Sequence, residues 1–132
     1  MILPKKILFI DDDNLQTETR AQLLIETRHH VVVVVDSFDE VKILYQKDKF
    51  DIVIIDFARD FGMKSLQYID GIDPKQKMIT ISENEEYSEP KGCEYCVTHH
   101  QRRRLKPPFP FPDLVRLIEN FEITNCLYKN SL

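Results

Sequence analysis

The chain has 132 residues, three cysteines and a formal net charge of −4, and a chain of this length is expected to form about one domain. Its composition, 42% hydrophobic and 30% charged, is typical of a globular protein with its own core. The negative charge disfavours a general nucleic-acid binder, which usually carries a basic surface. No apolar run approaches the roughly 20 residues that a membrane helix needs. Three cysteines without a secretion signal favour reduced thiols and a cytoplasmic location.

Five apolar runs of strand length alternate with polar segments in which apolar residues recur at helical spacing. The strand-like runs are residues 7–10, 31–35, 52–55, 78–82 and 95–98. The helical segments are residues 14–28, 38–47, 63–69 and 113–122, with Asp13 and Ser37 as N-caps of the first two. This alternation predicts right-handed βαβ units, and therefore an α/β fold with one doubly wound, five-stranded parallel sheet.

Two segments depart from this alternation. Residues 83–92 have no apolar periodicity and contain Pro90, so we expect the helix between the fourth and fifth strands to be short or absent. Residues 102–112 contain several prolines and should be extended, because a proline disfavours the helical conformation of the residue before it. With no repeat or linker visible, we expect a single domain over 1–132, with a core at about 5–122 and a tail at 123–132.

Acidic residues directly follow the first and third strand-like runs. Asp11 and Asp12 follow the first run, and Asp56 follows the third. The carboxyl ends of parallel strands meet at one edge of the sheet, where open α/β sheets bind their ligands. Carboxylates crowded at that edge repel one another unless a cation joins them, and hard oxygen ligands with open positions suit Mg²⁺. The sequence therefore predicts an acidic Mg²⁺ pocket at this edge.

The order and spacing of these residues resemble the receiver domain of two-component response regulators, over about residues 5–121. In that family an acidic pair ends the first strand and a phosphorylatable Asp ends the third. A Ser or Thr ends the fourth strand, and a Lys followed by Pro comes after the fifth. The matching residues here are Asp11 and Asp12, then Asp56, then Ser82 in Met-Ile-Thr-Ile-Ser, and Lys106 in Leu-Lys-Pro-Pro-Phe.

The resemblance implies a flavodoxin-like sheet of strand order 2-1-3-4-5 and a phosphoryl group that a sensor histidine kinase transfers to Asp56. Lys106 would supply a second cation, and Ser82 would donate a hydrogen bond to the bound phosphoryl group. Phosphorylation would then change the affinity for a downstream protein, with no direct DNA binding and no membrane contact expected. Catalysis beyond self-phosphorylation from small donors and autodephosphorylation is not implied. The implied Mg²⁺ ligands are Asp12, Asp56, the backbone carbonyl of Ala58 and, through water, Asp11.

Two features differ from the family pattern. The segment after Asp56, Phe57-Ala58-Arg59-Asp60-Phe61-Gly62, lacks the usual Met-Pro pair. Arg103 stands where the family has an aromatic residue, three positions before the Lys. An alternative alignment puts Thr98 at the Lys position and makes residues 99–105 an insertion. We predict the fifth strand at 95–98, with Lys106 reaching back from the loop that follows.

These departures favour an alternative function, a degenerate receiver that binds a protein partner independently of phosphorylation. A third hypothesis, a Mg²⁺-dependent phosphohydrolase, requires an Asp two residues after the nucleophile as acid/base, and Ala58 stands there. Cys93 and Cys96, followed by His99 and His100, are potential zinc ligands by residue type. The two cysteines would point to opposite faces of the predicted strand, which disfavours a zinc site.

Overall fold

The computed structural model describes residues 3–11, 14–57, 61–82 and 102–121, with the backbone alone for 14–17. Within these residues the chain forms five strands and four helices. In chain order they are β1 (Lys6–Ile10), α1 (Asn14–Arg28), β2 (Val31–Val35), α2 (Phe38–Leu44), β3 (Ile52–Asp56), α3 (Phe61–Ile72), β4 (Met78–Ile81), β5 (Arg102–Leu105) and α4 (Phe111–Glu119).

The five strands are parallel and lie in the order β2-β1-β3-β4-β5. β1 and β3 occupy the interior of the sheet, and residues 7–10 and 52–55 are completely buried. Continuous runs of Ile, Leu, Val and Phe suit these positions because both faces of an interior strand are covered. The predicted α/β fold with a 2-1-3-4-5 parallel sheet is confirmed.

Helices cover both faces of the sheet, and each face has its own core. On one face, Val41 of α2 and Leu66 and Ile69 of α3 pack with the side chains of Leu8 and Ile10. The core of the other face, built with α1 and α4, contains Ile7, Phe9, Leu24, Leu114 and Ile118. Successive β1 residues thus serve opposite cores, since side chains alternate along a strand. No helix in the described part of the chain is long and apolar enough to cross a membrane.

The fifth strand lies later in the chain than predicted. β5 is Arg102–Leu105, which pairs with β4 from Met78↔Arg102 to Ile81↔Leu105. The prediction of a fifth strand at residues 95–98 is therefore wrong, and those residues lie outside the described part of the chain. Residues 83–101, on which the expected short or absent helix and the cysteine and histidine pairs fall, also lie outside it.

β5 was not recognised among the apolar runs of strand length because it contains three consecutive arginines. Each has a separate tertiary environment: Arg102 forms an ion pair with Asp70 of α3, and Arg104 Nε donates to the carbonyl oxygen of Ser82 at 3.0 Å. The guanidinium of Arg103 lies on the opposite face of the strand, 4.7 Å from the ring centre of Phe121. Arginine is therefore tolerated at these strand positions because neighbouring elements pair with, or pack against, each guanidinium group.

The extents of three helices also differ from the predictions. α3 spans Phe61–Ile72 rather than residues 63–69, and α2 and α4 differ as well. Ser37 caps α2 as predicted, accepting a hydrogen bond from the backbone N–H of Glu40 at 3.2 Å, but α2 ends at Leu44 rather than at residue 47. α4 begins at Phe111 and includes Pro112 in its first turn, so the prediction that residues 111–112 are extended is wrong. A proline is tolerated there because first-turn N–H groups have no partner within the helix.

A buried histidine joins α4 to the amino-terminal edge of the sheet. The backbone N–H of Lys5 donates to His30 Nδ1 at 3.0 Å, so the ring proton is on Nε2, which donates to Glu119 at 3.0 Å. Arg28 Nε donates to the same carboxylate at 2.8 Å. These hydrogen bonds, those from Arg28 foremost, hold the pKa of Glu119 below its usual value. The cluster thereby fastens the end of α4 to the end of α1 and the start of β2.

We expect this cluster to make stability sensitive to acid. Because the folded-state pKa of Glu119 is lowered, its stabilising contribution is complete above the ordinary value of 4.5 and is lost as pH falls through the lowered value. Glu119→Gln should therefore lower the free energy of unfolding at pH 7 and flatten its decline below pH 4.5. Urea denaturation over a pH series measures both effects, with Glu18→Gln on the exposed side of α1 as control. An unchanged decline in Glu119→Gln would contradict this role.

Candidate functional site

Two carboxylates end neighbouring strands at the carboxyl edge of the sheet. Asp11 directly follows β1 and is buried, and its backbone N–H donates to the carbonyl of Val35 at 3.0 Å. Asp56 is the last residue of β3 and is half-buried. Ile10 pairs with Ile55, so Asp11 and Asp56 lie one residue further along two adjacent strands. Adjacent strands are spaced about 4.8 Å apart. The two residues therefore lie side by side at this edge.

The next two strand ends, on the side of Asp56 away from Asp11, contribute a hydroxyl and an ammonium group to the same edge. Ser82 directly follows β4 and is buried, and its backbone N–H donates to the carbonyl of Leu105 at 3.2 Å. Lys106 directly follows β5 and is exposed. The registers Asp56↔Ile81 and Ile81↔Leu105 put Ser82 and Lys106 one residue beyond the level of Asp56. Four strand ends thus bring two carboxylates, a hydroxyl and a cation to a single edge.

The position of β5 corrects the prediction of how Lys106 comes to lie at this edge of the sheet. The prediction had Lys106 reaching back from a loop after a strand at 95–98; instead, Lys106 comes immediately after Leu105 of the strand itself. Lys106, and not Thr98, therefore stands directly behind the fifth strand. The basic segment Arg102-Arg103-Arg104 forms the strand that positions Lys106.

The predicted metal ligands are described only in part. Asp12 and Ala58 lie outside the described residues, as does Asp13, the predicted cap of α1. Among the described residues, no three His, Cys, Asp or Glu side chains cluster closely enough to hold a metal ion. The carboxylates that are described, Asp11 and Asp56, are hard oxygen donors of the kind that Mg²⁺ prefers. Their chemistry and their shared edge fit such an ion.

Gly62 and Arg104 contribute to this edge in ways that only the structure shows. A Cβ at Gly62 would come within 2.9 Å of the Phe57 ring and 3.1 Å of the Asp56 carbonyl oxygen. Glycine thus lets the first turn of α3 approach the chain that carries Asp56. Arg104 holds the Ser82 carbonyl, so the loop after β4 is tied to β5 through both backbone and side chain. The sequence signal that could have located β5 is the Lys106-Pro107 pair, because the family pattern has a Lys followed by Pro after the fifth strand.

Comparison with solved structures identifies the fold. No family model matches the chain, and no curated protein matches it significantly. A CheY-like response regulator receiver domain protein from Methanospirillum hungatei JF-1 superposes with a TM-score of 0.67 at 19% identity, over 90% of this chain and 94% of its own. A LuxR-family two-component response regulator from Aurantimonas sp. SI85-9A1 gives 0.68 at 16% identity, over 97% and 92%.

The chain has the CheY-like receiver fold. A further receiver-fold structure, a response regulator protein from Burkholderia pseudomallei with a phosphorylated aspartic acid, a calcium ion and citrate, has a TM-score of 0.62 at 20% identity. The alignment spans 85% of this chain and 65% of the Burkholderia pseudomallei chain. The receiver fold of this chain was the fold expected from the resemblance. The roles of its edge residues are a separate question of chemistry.

Removing one of the two adjacent carboxylates should stabilise the metal-free receiver fold. Two like charges about 4 Å apart repel each other by about 1 kcal/mol in a water-like environment, so Asp56→Asn should raise the melting temperature in metal-free buffer. Thermal unfolding followed by circular dichroism measures this, and added Mg²⁺ should shrink the difference between variant and wild type. Asp73→Asn, beyond the end of α3, serves as the control. A lower melting temperature for Asp56→Asn would contradict charge repulsion at this edge.

Proposed function

We propose that this chain acts in the cytoplasm as a receiver of two-component signal transduction, in which Asp56 accepts a phosphoryl group from a sensor histidine kinase. The observation that supports it is the meeting of Asp11, Asp56, Ser82 and Lys106 at consecutive strand ends of a receiver fold. Their residue types match what acceptance of a phosphoryl group requires: a nucleophile, its acidic neighbour, a hydrogen-bond donor and a cation.

The transfer itself is a displacement at phosphorus. A carboxylate oxygen of Asp56 attacks the phosphorus of a phosphohistidine, an O–P bond forms, the N–P bond breaks, and the imidazole leaves. With a small acyl phosphate as donor, a carboxylate leaves in its place. Phosphoryl transfer depends mostly on positioning and on neutralising charge. Asp56 suits this role because it is half-buried and therefore both held by β3 and accessible to a donor.

The neighbouring groups would neutralise the charge that arrives. Lys106 supplies a point charge to the phosphoryl oxygens, and the hydroxyl of Ser82 donates a hydrogen bond to one of them. Mg²⁺, when bound, offsets the remaining negative charge. In the Burkholderia pseudomallei response regulator a phosphorylated aspartic acid and a calcium ion occur together, which supports a cation at this position. The residues that would hold it here are Asp11, Asp12, Asp56 and the carbonyl of Ala58.

The output would be a changed surface for a downstream protein. Ser82 is tied to β5 by the hydrogen bond of its N–H to Leu105 and by that of Arg104 to its carbonyl. A shift of Ser82 toward a bound phosphoryl group would therefore be transmitted to β5 and the segment around it. We propose a protein partner, with neither DNA nor a membrane as a binding surface.

One observation favours the second candidate, a degenerate receiver that binds its partner without phosphorylation. Arg103 stands at the position of the family's aromatic residue, and its guanidinium lies over Phe121 and donates to the Phe121 carbonyl at 3.3 Å. Its burial lowers the pKa of Arg103. A cation held in this way is a fixed part of the packing between β5 and the end of α4. It would not rotate as a switching residue must.

Treatment with acetyl phosphate and Mg²⁺ separates the two candidates. A working acceptor should gain about 80 Da, the mass of one phosphoryl group, in intact-mass spectrometry. Beryllofluoride, which mimics the bound group, should then shift NMR resonances of Ser82 and Lys106. A chain that keeps its mass with excess donor, and whose spectrum ignores beryllofluoride, is a binding module only.

A further inference from the structure

The backbone of β5 cannot supply a hydrogen-bond donor to the carbonyl of Ser82. In a parallel ladder, a residue donates its N–H to one residue of the neighbouring strand and accepts at its C=O from the N–H two residues further along that strand. The N–H of Ser82 donates to the Leu105 carbonyl at 3.2 Å, so the corresponding donor for its C=O is residue 107. Residue 107 is proline, which has no N–H. The ladder therefore ends without a backbone donor for this carbonyl.

A side chain of the same strand supplies a donor instead. Arg104 Nε donates to the Ser82 carbonyl at 3.0 Å, which is a normal length for such a bond. Arg104 is half-buried and Ser82 is buried, so this bond from a charged group is partly shielded from water and is stronger for it. The two polar backbone groups of Ser82 are thus both held by β5, one by the backbone of Leu105 and the other by the side chain of Arg104.

Arg104 differs from the two preceding arginines in the kind of residue that it contacts. Arg102 forms an ion pair with Asp70 of α3, and Arg103 lies over the ring of Phe121 after α4. Those two contacts join β5 to helices. Arg104 contacts the residue whose hydroxyl the proposed function places beside the phosphoryl group. Its position thus connects it with the chemistry of the sheet edge as well as with the packing of β5.

We propose that Arg104 is a positioning residue of the phosphoryl site, which replaces the missing backbone donor and fixes Ser82 so that its hydroxyl can donate to a phosphoryl group on Asp56. This inference rests on the proposed function. Asp56 pairs with Ile81, so Ser82 lies one residue, about 3.3 Å, beyond the level of Asp56 and nearer to a group that extends outward from its carboxylate. A hydroxyl on a fixed backbone loses less conformational freedom when it forms this bond, so the group is bound more tightly.

The affinity for beryllofluoride, which mimics the bound phosphoryl group, measures this role. Fluorine NMR of the bound ion in the presence of Mg²⁺ gives its dissociation constant. Arg104→Met keeps a long side chain but removes the donor, and it should raise this constant about tenfold, as expected for the loss of one hydrogen bond from a charged group. Arg116→Met removes an equal charge from an exposed position of α4 and should stay within about twofold of the wild type. Equal affinities of Arg104→Met and wild type would overturn the proposal.

Ser82→Ala separates a positioning role from a general effect of charge or stability. It removes the hydroxyl but keeps the carbonyl that Arg104 holds. In this background Arg104→Met should change the dissociation constant by less than about twofold, because no hydroxyl remains to be positioned. An equal loss of affinity in both backgrounds would overturn the proposal. If circular dichroism shows that Arg104→Met does not fold, Arg104→Lys, which keeps the charge, replaces it, with a smaller loss expected beside Ser82 and none beside Ser82→Ala.

Amide exchange tests the contact in the absence of any phosphoryl group. The Ser82 N–H should exchange at least about tenfold faster in Arg104→Met than in the wild type, whereas that of Val53 in β3 should be unchanged. Equal exchange at Ser82 in the two proteins would overturn the proposal. A wild type that binds beryllofluoride no better than Asp56→Ala would contradict the proposed acceptor and this inference with it. A wild type that binds it, but equally well with and without the Arg104 side chain, would contradict this inference alone.

Discussion

Asp56→Ala is expected to abolish the gain of about 80 Da on treatment with acetyl phosphate and Mg²⁺, because it removes the attacking oxygen itself. Asp56 is the half-buried last residue of β3 at the edge shared with Asp11, and the proposed reaction has no other nucleophile. Lys106→Ala should label more slowly, by roughly 100-fold. It removes a charge that stabilises the arriving group but leaves the carboxylate that attacks. Intact-mass spectrometry over a time course measures both.

Two controls make this result specific. Asp39→Ala, at an exposed position of α2, should label as the wild type does, which excludes a general effect of losing an aspartate. Ser82→Ala should label but give a smaller beryllofluoride response, because the hydroxyl contacts the group only after transfer. Persistent labelling of Asp56→Ala would show that the phosphoryl group goes elsewhere and would contradict the proposed acceptor.

Asp70→Ala is expected to destabilise the fold by about 3 kcal/mol, since it leaves the buried guanidinium of Arg102 without its ion-pair partner. Arg102 is 4% exposed and Asp70 30% exposed in their side chains, and burial lowers the pKa of Arg102 to about 10. Arg102→Met should cost less than about 1 kcal/mol, because an apolar side chain of similar length needs no partner in that environment. Urea denaturation measures both free energies of unfolding.

The double variant gives the decisive comparison. Asp70→Ala combined with Arg102→Met should be about as stable as Arg102→Met alone, because the cost of Asp70→Ala comes from the stranded charge and disappears with it. Asp113→Ala, which removes the partner of an exposed i,i+3 pair with Arg116, should cost less than about 0.5 kcal/mol. Equal costs for Asp70→Ala and Arg102→Met would contradict this account of β5.

The sequence was sufficient to locate the strands whose own residues are apolar enough to indicate burial. β1 and β3 are continuous apolar runs because both of their faces are covered, and their acidic ends lie where parallel strands must meet. β2 and β4 were located because they too are apolar runs of strand length, and the alternation of strands with helical segments was sufficient for a parallel sheet. Asp11 and Asp56 were found because each follows such a run, whereas Ser82 was found through the family resemblance, and the roles of all three are proposals.

Only the tertiary structure decided where the fifth strand lies and which residue follows it. The backbone pairing of Arg102–Leu105 with β4 is favourable because Asp70, Phe121 and the Ser82 carbonyl accommodate three arginines. Those partners are distant in the sequence, so a local pattern of hydrophobicity does not indicate them. Residues 95–98 have the apolar character of a strand but are not the strand that pairs with β4. The position of Lys106 beside Ser82 is therefore a consequence of contacts that form only when α3, β4 and the end of α4 surround β5.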